Sequence, residues 1–114
     1  MGKQLQKKLS KMSKKRKKMY LSMSKGERET YDILYKFKSK NQFKCKHTEC
    51  LNKSKIKDVH HILPRNSHPQ LLLDYNNLIV LCRDCHKSIH SQFGYKNLSE
   101  NNEYLKLMQI FQKN

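Results

Sequence analysis

Negative charge is scarce in this chain, and it is unevenly placed. Asp and Glu number 9 against 25 Lys and Arg, the formal net charge is +16, and no acidic residue precedes Glu27. Ten basic residues lie before that position. Because a surplus of this size attracts phosphate groups, the composition favours a polyanionic partner.

Arginine is also scarce, with 4 residues against 21 lysines. Lysine contacts phosphates as a flexible point charge, whereas the planar fork of arginine is the group that most often reads guanine edges. The composition therefore argues against strong sequence specificity.

Long hydrophobic runs are missing from the sequence. No apolar stretch reaches the length of about 20 residues that a transmembrane helix needs. The first residues also lack the hydrophobic core of a secretory signal. We therefore expect a cytoplasmic protein without membrane contact, in which cysteines stay reduced.

The length of 114 residues predicts one small domain with an arm. We assign residues 1–24 to a basic N-terminal arm and residues 25–114 to the domain, with its core at about 43–93. A domain of this size buries little apolar surface, so a structural metal would add stability that it needs. The sparse apolar residues of the arm leave two alternatives, a solvated tail and a helix that orders on the partner.

Two local patterns mark the first elements of the domain. Ser24 and Glu27 have the spacing of a capping box, which predicts a helix over residues 25–39. Val59 to Leu63 form a short run of residues that favour β structure, and Pro64 ends it. The sequence therefore predicts a helix followed by a strand.

The second half of the domain has its own signals. Residues 64–76 form a long loop, and an apolar stretch from Asn77 to Leu81 follows it. Arg83 to Phe93 predict a helix that ends before Gly94. Ser99 is the predicted cap of a last helix, whose buried face carries Tyr104, Leu107 or Met108, and Phe111.

Four cysteines form two pairs. Cys82 and Cys85 have the two-residue spacer of a zinc knuckle, whereas Cys45 and Cys50 are separated by four residues. Four thiolates around one zinc ion leave no open position, so this ion would stabilise the fold without taking part in catalysis. The alternatives are His47 in place of one thiolate, two disulfides, or four buried free thiols.

The histidines suggest a second metal set. His86 and His90 are four residues apart on a predicted helix and share a face. A third ligand can come from the adjacent His60 and His61 on the predicted strand, where neighbours point to opposite sides. The other member of that pair is then available as a base, since a neutral imidazole can take a proton from water. Asn77 can hydrogen-bond a neighbouring loop or orient the base.

Three segments of the chain together resemble the HNH endonucleases. They are the run from Val59 to Pro64, the pair Asn77 and Leu78, and the run from Leu81 to His86 followed by His90. The resemblance covers residues 43 to 93 and implies a small α+β protein. Its core would be a ββα-metal (His-Me finger) fold with a structural zinc site, flanked by N- and C-terminal helices.

The resemblance also implies a role for each matching residue. His60 and His86 would be ligands of a catalytic ion, and His61 would be the general base. Asn77 would be the middle asparagine that braces the hairpin, and His90 matches a further ligand of the colicin-type members. The cysteines match a zinc-bearing subset, from which the wide first spacer departs.

The implied activity is metal-dependent hydrolysis of DNA phosphodiester bonds, which would leave 5′-phosphate and 3′-hydroxyl ends. An all-histidine set would accept Mg²⁺, Mn²⁺, Ni²⁺ or Zn²⁺ to different degrees. Arg65 is a candidate phosphate contact in the loop. The arm would supply the other DNA-binding residues, namely Lys7, Lys8, Lys11, Lys14, Lys15, Arg16, Lys17 and Lys18.

Small size and family habits favour a nuclease of a phage or other mobile element, such as a homing endonuclease, with possible association in a larger assembly of that element. One alternative is a noncatalytic zinc-containing module that binds nucleic acid. Another is a nuclease toxin, which the paired His86 and His90 suggest, although the sequence shows no translocation or receptor-binding region.

Overall fold

The structure is a computed structural model that describes residues 7–50 and 54–114. The chain divides into two compact units, one ending at Asp32 and one running from Ile33 to Asn114. The boundary lies inside a helix, and the assignment of residues 1–24 to a binding arm stays a prediction. The elements in chain order are α1 (Lys14–Ser22), α2 (Lys25–Lys40), β1 (Lys57–His61), β2 (Leu78–Cys82), α3 (Arg83–Phe93) and α4 (Asn102–Lys113).

In the N-terminal unit, residues 14–22 form a helix. The predicted ordering of this segment on a partner stays a prediction. Ser13 caps α1 through its Oγ, which accepts the Arg16 amide proton at 3.2 Å. Tyr20 is the buried residue of this helix, and its hydroxyl donates to the Asp32 carboxylate at 3.1 Å. Lys8 Nζ donates to the same carboxylate at 2.9 Å. Residues 3–6 of the basic segment lie outside the described residues.

Helix α2 begins with the predicted capping box. The Glu27 amide donates to Ser24 Oγ and the Ser24 amide to Glu27 Oε1, both at 3.2 Å. The helix covers residues 25–40, which confirms the predicted helix over 25–39. It ends where Gln42 and Phe43 take positive φ values of 58° and 51°.

Strands β1 and β2 form an antiparallel hairpin in which His60 pairs with Ile79 and His61 with Leu78. The predicted strand from Val59 to Leu63 lies two residues too far along the chain. The Ile62 amide still donates to the Asn77 carbonyl in the same register, at 2.8 Å, and the Leu63 amide donates to Asn77 Oδ1 at 2.9 Å where the chain enters the loop. The intervening loop contains two short 3₁₀ turns, at Pro69–Leu71 and Tyr75–Asn77.

The hairpin is covered on both faces because successive side chains of a strand point to opposite sides. Leu78 and Val80 pack with Phe37 of α2 on one face. Ile79 and Leu81 pack on the other face against α3 and α4. The α3 and α4 residues in that second core are Ile89, Tyr104, Met108 and Phe111.

Helix α3 has its predicted bounds, whereas the predicted cap of α4 is wrong. Ser99 lies inside a 3₁₀ turn at Leu98–Glu100, and Asn101 caps α4 instead by accepting the Tyr104 amide proton at 3.1 Å. Within the described residues, no helix combines the length and apolar character that crossing a bilayer requires.

Candidate functional site

The four cysteines form one cluster. The Sγ atoms of Cys45, Cys50, Cys82 and Cys85 all lie within 4.8 Å of one another, and those of Cys50 and Cys82 are 3.7 Å apart. Four thiolates at the usual Zn–S length of about 2.3 Å would be about 3.8 Å apart in a tetrahedron. None of these four described cysteines forms a disulfide, so the disulfide alternative is wrong. The cluster is therefore positioned to bind a metal and fits a structural zinc ion.

Two segments deliver these thiols. Cys82 ends β2 and caps α3, and its Sγ accepts the Cys85 amide proton at 3.4 Å. Cys45 precedes Lys46, whose amide donates to the Val80 carbonyl at 2.8 Å and holds the segment beside β2. His47 is not part of the cluster, since its Nδ1 accepts the Glu49 amide proton at 3.0 Å.

Local contacts divide the thiols by their ease of ionisation. Burial raises the pKa of Cys45. Burial also opposes ionisation of Cys82, but hydrogen bonds from the Cys85 amide and the neighbouring thiols outweigh it, and the pKa of Cys82 is lowered. The thiol that caps α3 is thus favoured as a thiolate.

Three histidines form a second cluster. His60 comes from β1, His86 and His90 come from α3, and one ring nitrogen of each lies within 4.8 Å of the others. The Nε2 atoms of His86 and His90 are 3.2 Å apart. Ligands of a tetrahedral zinc at about 2.0–2.1 Å would be about 3.3 Å apart. The separation of His86 and His90 therefore fits two ligands of one metal ion, and all three residues lie close enough together to hold it.

The other ring nitrogen of the two helix histidines has a hydrogen-bond partner. His86 Nδ1 lies 3.1 Å from Asp58 Oδ2, and His90 Nδ1 lies 3.2 Å from the Gly94 carbonyl oxygen. Because a carboxylate and a carbonyl can only accept, both Nδ1 atoms carry the proton. The lone pairs are therefore on the two Nε2 atoms that face each other, as in metal sites whose histidines are oriented from outside.

His60 is the buried member of this cluster, with 1% of its surface exposed. Burial, with added repulsion from His86 and His90, lowers the pKa of His60 to about 3. Burial also lowers the pKa of His90. Neutral imidazole is the form that binds a metal, so these residues are ready as ligands at neutral pH.

His61 faces away from this cluster, on the side of the hairpin that carries Leu78. Its Nε2 donates to the Leu72 carbonyl at 2.9 Å. No described residue hydrogen-bonds its Nδ1. Every buried side-chain nitrogen of the described residues has a hydrogen-bond partner, so this unpartnered Nδ1 must be accessible to solvent. Burial of the ring and the charge of Arg65 lower the pKa of His61 although the Leu72 contact opposes the shift.

Asn77 holds the loop that carries the Leu72 carbonyl. Its Oδ1 accepts the Leu63 amide proton at 2.9 Å, and its Nδ2 donates to the Leu63 and Leu71 carbonyls at 3.1 and 3.4 Å. The side chain is 6% exposed, so water competes little with these bonds. Asn77 therefore joins both ends of the loop beside His61.

The predicted DNA-binding residues separate into two groups. Arg65 is exposed in the same loop as the Leu72 carbonyl. The remaining eight are all exposed and belong to the N-terminal unit, namely Lys7, Lys8, Lys11, Lys14, Lys15, Arg16, Lys17 and Lys18. Of these, Lys8 is paired with Asp32.

Two side chains that orient the histidines were not among the predicted site residues. Asp58 precedes His60 by two positions and so shares its face of β1, a signal that was available in the sequence. Its carboxylate also accepts two hydrogen bonds from Arg83, at 2.9 and 3.1 Å. Arg83 and His86 keep the pKa of Asp58 low against the effect of burial. Tyr104 lies 44 residues from His60, and no sequence signal connects them.

Two antiparallel strands followed by a helix, with histidines from the first strand and from the helix facing one another, define a ββα-metal fold. The family model described as HNH endonuclease matches residues 45–92 of the chain. This match indicates a nuclease or nucleic-acid-binding function. No curated protein matches the chain significantly. No solved structure matches it significantly either.

Proposed function

We propose that the protein is a metal-dependent HNH endonuclease that hydrolyses DNA phosphodiester bonds with His61 as the general base. The observation that carries this proposal is that two neighbouring histidines of β1 have different environments. His60 faces two histidines of α3, whereas His61 has a solvent-accessible Nδ1 on the other side. A binding module has no need for a free imidazole beside a ligand set.

His60, His86 and His90 would hold one divalent cation. Bound there, the cation would neutralise charge that develops on the scissile phosphate and the leaving oxygen. Imidazole ligands suit Zn²⁺ and Ni²⁺ better than Mg²⁺, and Mn²⁺ is a further candidate. The Cys45, Cys50, Cys82 and Cys85 cluster would hold a structural Zn²⁺ beside it.

His61 would take a proton from the attacking water at Nδ1. The Leu72 carbonyl supports this role because it holds the proton on Nε2 and keeps the lone pair on Nδ1. The imidazolium that forms keeps the same Nε2 hydrogen bond. Asn77 would act as the brace of the loop that presents Leu72. Arg65, whose positive charge lowers the pKa of His61, is a candidate contact to the phosphate.

The N-terminal unit would supply much of the affinity for DNA. Its exposed side chains from Lys7 to Lys18 include eight basic residues, of which Lys8 has an acidic partner. Contacts of this kind read the backbone without reading the bases. We further propose a cytoplasmic protein of a phage or another mobile element, and the gene neighbourhood would test that origin.

The proposal is tested by nicking of supercoiled plasmid DNA with and without added Mg²⁺, Mn²⁺, Ni²⁺ or Zn²⁺. His61→Ala should lower the cleavage rate by at least about 100-fold, because positioned proton transfer contributes about 10²–10⁴. DNA affinity and metal content should stay near wild type, since His61 belongs neither to the two candidate metal clusters nor to the basic N-terminal unit. His68→Ala is the matched control, because His68 bonds to Ser67 and not to the site.

Cleavage by His61→Ala at the wild-type rate would show that the base is another residue. A wild-type protein that binds DNA but cuts none with any of these ions would favour the alternative, a noncatalytic zinc-containing nucleic-acid-binding module. If supercoiled plasmid becomes open circular before any linear product forms, each cleavage event cuts one strand of the duplex.

A further inference from the structure

We propose that Tyr104 is a positioning residue of the histidine metal centre, which fixes the tautomer of His60 so that Nδ1 is its metal-binding atom. The inference rests on the proposed metal site and adds a residue from α4 to it. Tyr104 lies beyond residues 45–92, the segment that the family model matches.

The hydrogen bonds of the Tyr104 hydroxyl decide which nitrogen of His60 carries the proton. The hydroxyl donates to the Ile62 carbonyl, and its oxygen lies 2.7 Å from His60 Nε2. A phenol has only one proton to give. Because the Ile62 carbonyl receives that proton, the phenol oxygen must accept a second one from His60 Nε2. The lone pair of His60 is then on Nδ1.

Tyr104 is held too firmly for the ring to turn away. Its side chain is fully buried at 0% exposure, and His60 is 1% exposed. Tyr104 contacts the Phe93 ring edge to face, with centroids 5.5 Å apart, and belongs to the core with Met108 and Phe111. Water has little access to replace either hydrogen bond.

Each proposed ligand now has one outer partner. The protonated ring nitrogen donates to Asp58 in His86, to the Gly94 carbonyl in His90 and to the Tyr104 hydroxyl oxygen in His60. Partners of this type commonly change metal affinity by about 10- to 100-fold when removed. Tyr104 differs from the other two because it comes from the C-terminal helix. Packing of α4 and formation of the metal site are therefore linked through one hydroxyl.

Tyr104→Phe removes the hydroxyl and keeps the ring. The protein is treated with chelator, reloaded with one equivalent of Zn²⁺ for the cysteine cluster, and titrated with Ni²⁺ by calorimetry. We expect the variant to bind the second ion about 10- to 100-fold more weakly than wild type. Tyr20→Phe is the matched control, because Tyr20 is also buried but bonds to Asp32 in the N-terminal unit. Its Ni²⁺ affinity should equal that of wild type.

A two-bond ¹H–¹⁵N NMR spectrum of the wild-type protein with zinc at both sites gives a second, independent result. His60 should carry its proton on Nε2 and have Nδ1 bound to the ion. A proton on Nδ1 would overturn the proposal, even where Tyr104→Phe fails to fold. Equal Ni²⁺ affinity of folded Tyr104→Phe and wild type would also overturn it. Uptake of only one metal equivalent by wild type would instead disprove the proposed histidine centre itself.

Discussion

At the scale of single residues, two adjacent histidines have opposite environments. His60 is buried among His86, His90 and Tyr104, and its pKa falls to about 3. His61 is half-buried, has one anchored nitrogen and keeps its other nitrogen accessible. Residue type alone does not assign a ligand and a base to this pair. The side of the strand on which each residue lies does.

The pKa of His61 leads to a prediction for the pH profile of cleavage. Burial and the charge of Arg65 place this pKa below 6.5. His61 is therefore neutral at pH 7, and the rate with saturating metal should be level there and fall in more acidic solution, where His61 becomes protonated. Arg65→Gln removes a charge that disfavours the imidazolium, so it should raise the pKa and move the acid limb to higher pH.

Initial rates of plasmid nicking from pH 5 to 8 measure this shift. Lys106→Gln is the control, because it removes one positive charge from an exposed position of α4. An acid limb that stays in place in Arg65→Gln, or moves equally in both variants, would contradict a local effect of Arg65 on His61.

At the scale of elements, α3 connects the two metal sets. Its first turn is capped by Cys82 and carries Cys85 and His86, its last turn carries His90, and Gly94 ends it. Gly94 has a φ of 73°, a conformation that favours glycine, and its carbonyl accepts from His90. An ion at the cysteine cluster would fix the start of this helix and so the direction of both imidazoles.

This arrangement predicts that zinc at the cysteine cluster is part of the fold. Cys50→Ser should reduce zinc content by about one equivalent and lower the melting temperature by roughly 10 °C or more, because zinc binding and folding share free energy. Chelator should lower the melting temperature of the wild type to that of the variant. Circular dichroism and metal analysis measure both changes.

Ser88→Ala serves as the control, because it changes an exposed residue of α3 that offers no thiolate. This variant should keep its zinc and respond to chelator as wild type does. A Cys50→Ser protein that keeps full zinc content and melts at the wild-type temperature would rule out Cys50 as a ligand.

At the scale of the whole molecule, charge is the dominant property. The net charge of +16 is concentrated toward the N-terminus, where helix α1 carries five consecutive basic residues that are all exposed. Such a helix has almost no apolar face to pack, and only Tyr20 of its residues is buried. Its exposed lysines and arginine are available to phosphates, and contacts of that kind weaken as salt displaces them.

Replacing Lys14, Lys15, Lys17 and Lys18 together by glutamine should weaken DNA binding and flatten its salt dependence. For each phosphate contact that the substitutions remove, the slope of log affinity against log salt should fall by about 0.9. Fluorescence anisotropy with a labelled duplex at several salt concentrations measures the slope. The charge-matched control replaces Lys36, Lys44, Lys106 and Lys113, four exposed lysines of the other unit. Equal slopes in the two variants would show that net charge alone determines affinity.

Much of the fold could be predicted because its signals are local. The capping box of Ser24 and Glu27 marked the start of α2, and Gly94 marked the end of α3. The end of β1 and the cap of α4 could not be predicted in the same way. The Asn77 side chain, 14 residues from Leu63, accepts the Leu63 amide proton where the chain leaves β1, and Asn101 displaces Ser99 as the cap.

By itself, the sequence determined which side chains can share a face, because the periods of helix and strand put His86 beside His90 and separate His60 from His61. Only the tertiary structure decided which group hydrogen-bonds each imidazole ring, since α4 brings Tyr104 to His60 and the loop brings the Leu72 carbonyl to His61. The physical reason is that chain geometry sets the direction of a side chain over a few residues. Hydrogen-bond partners depend on packing between segments that are far apart in the chain.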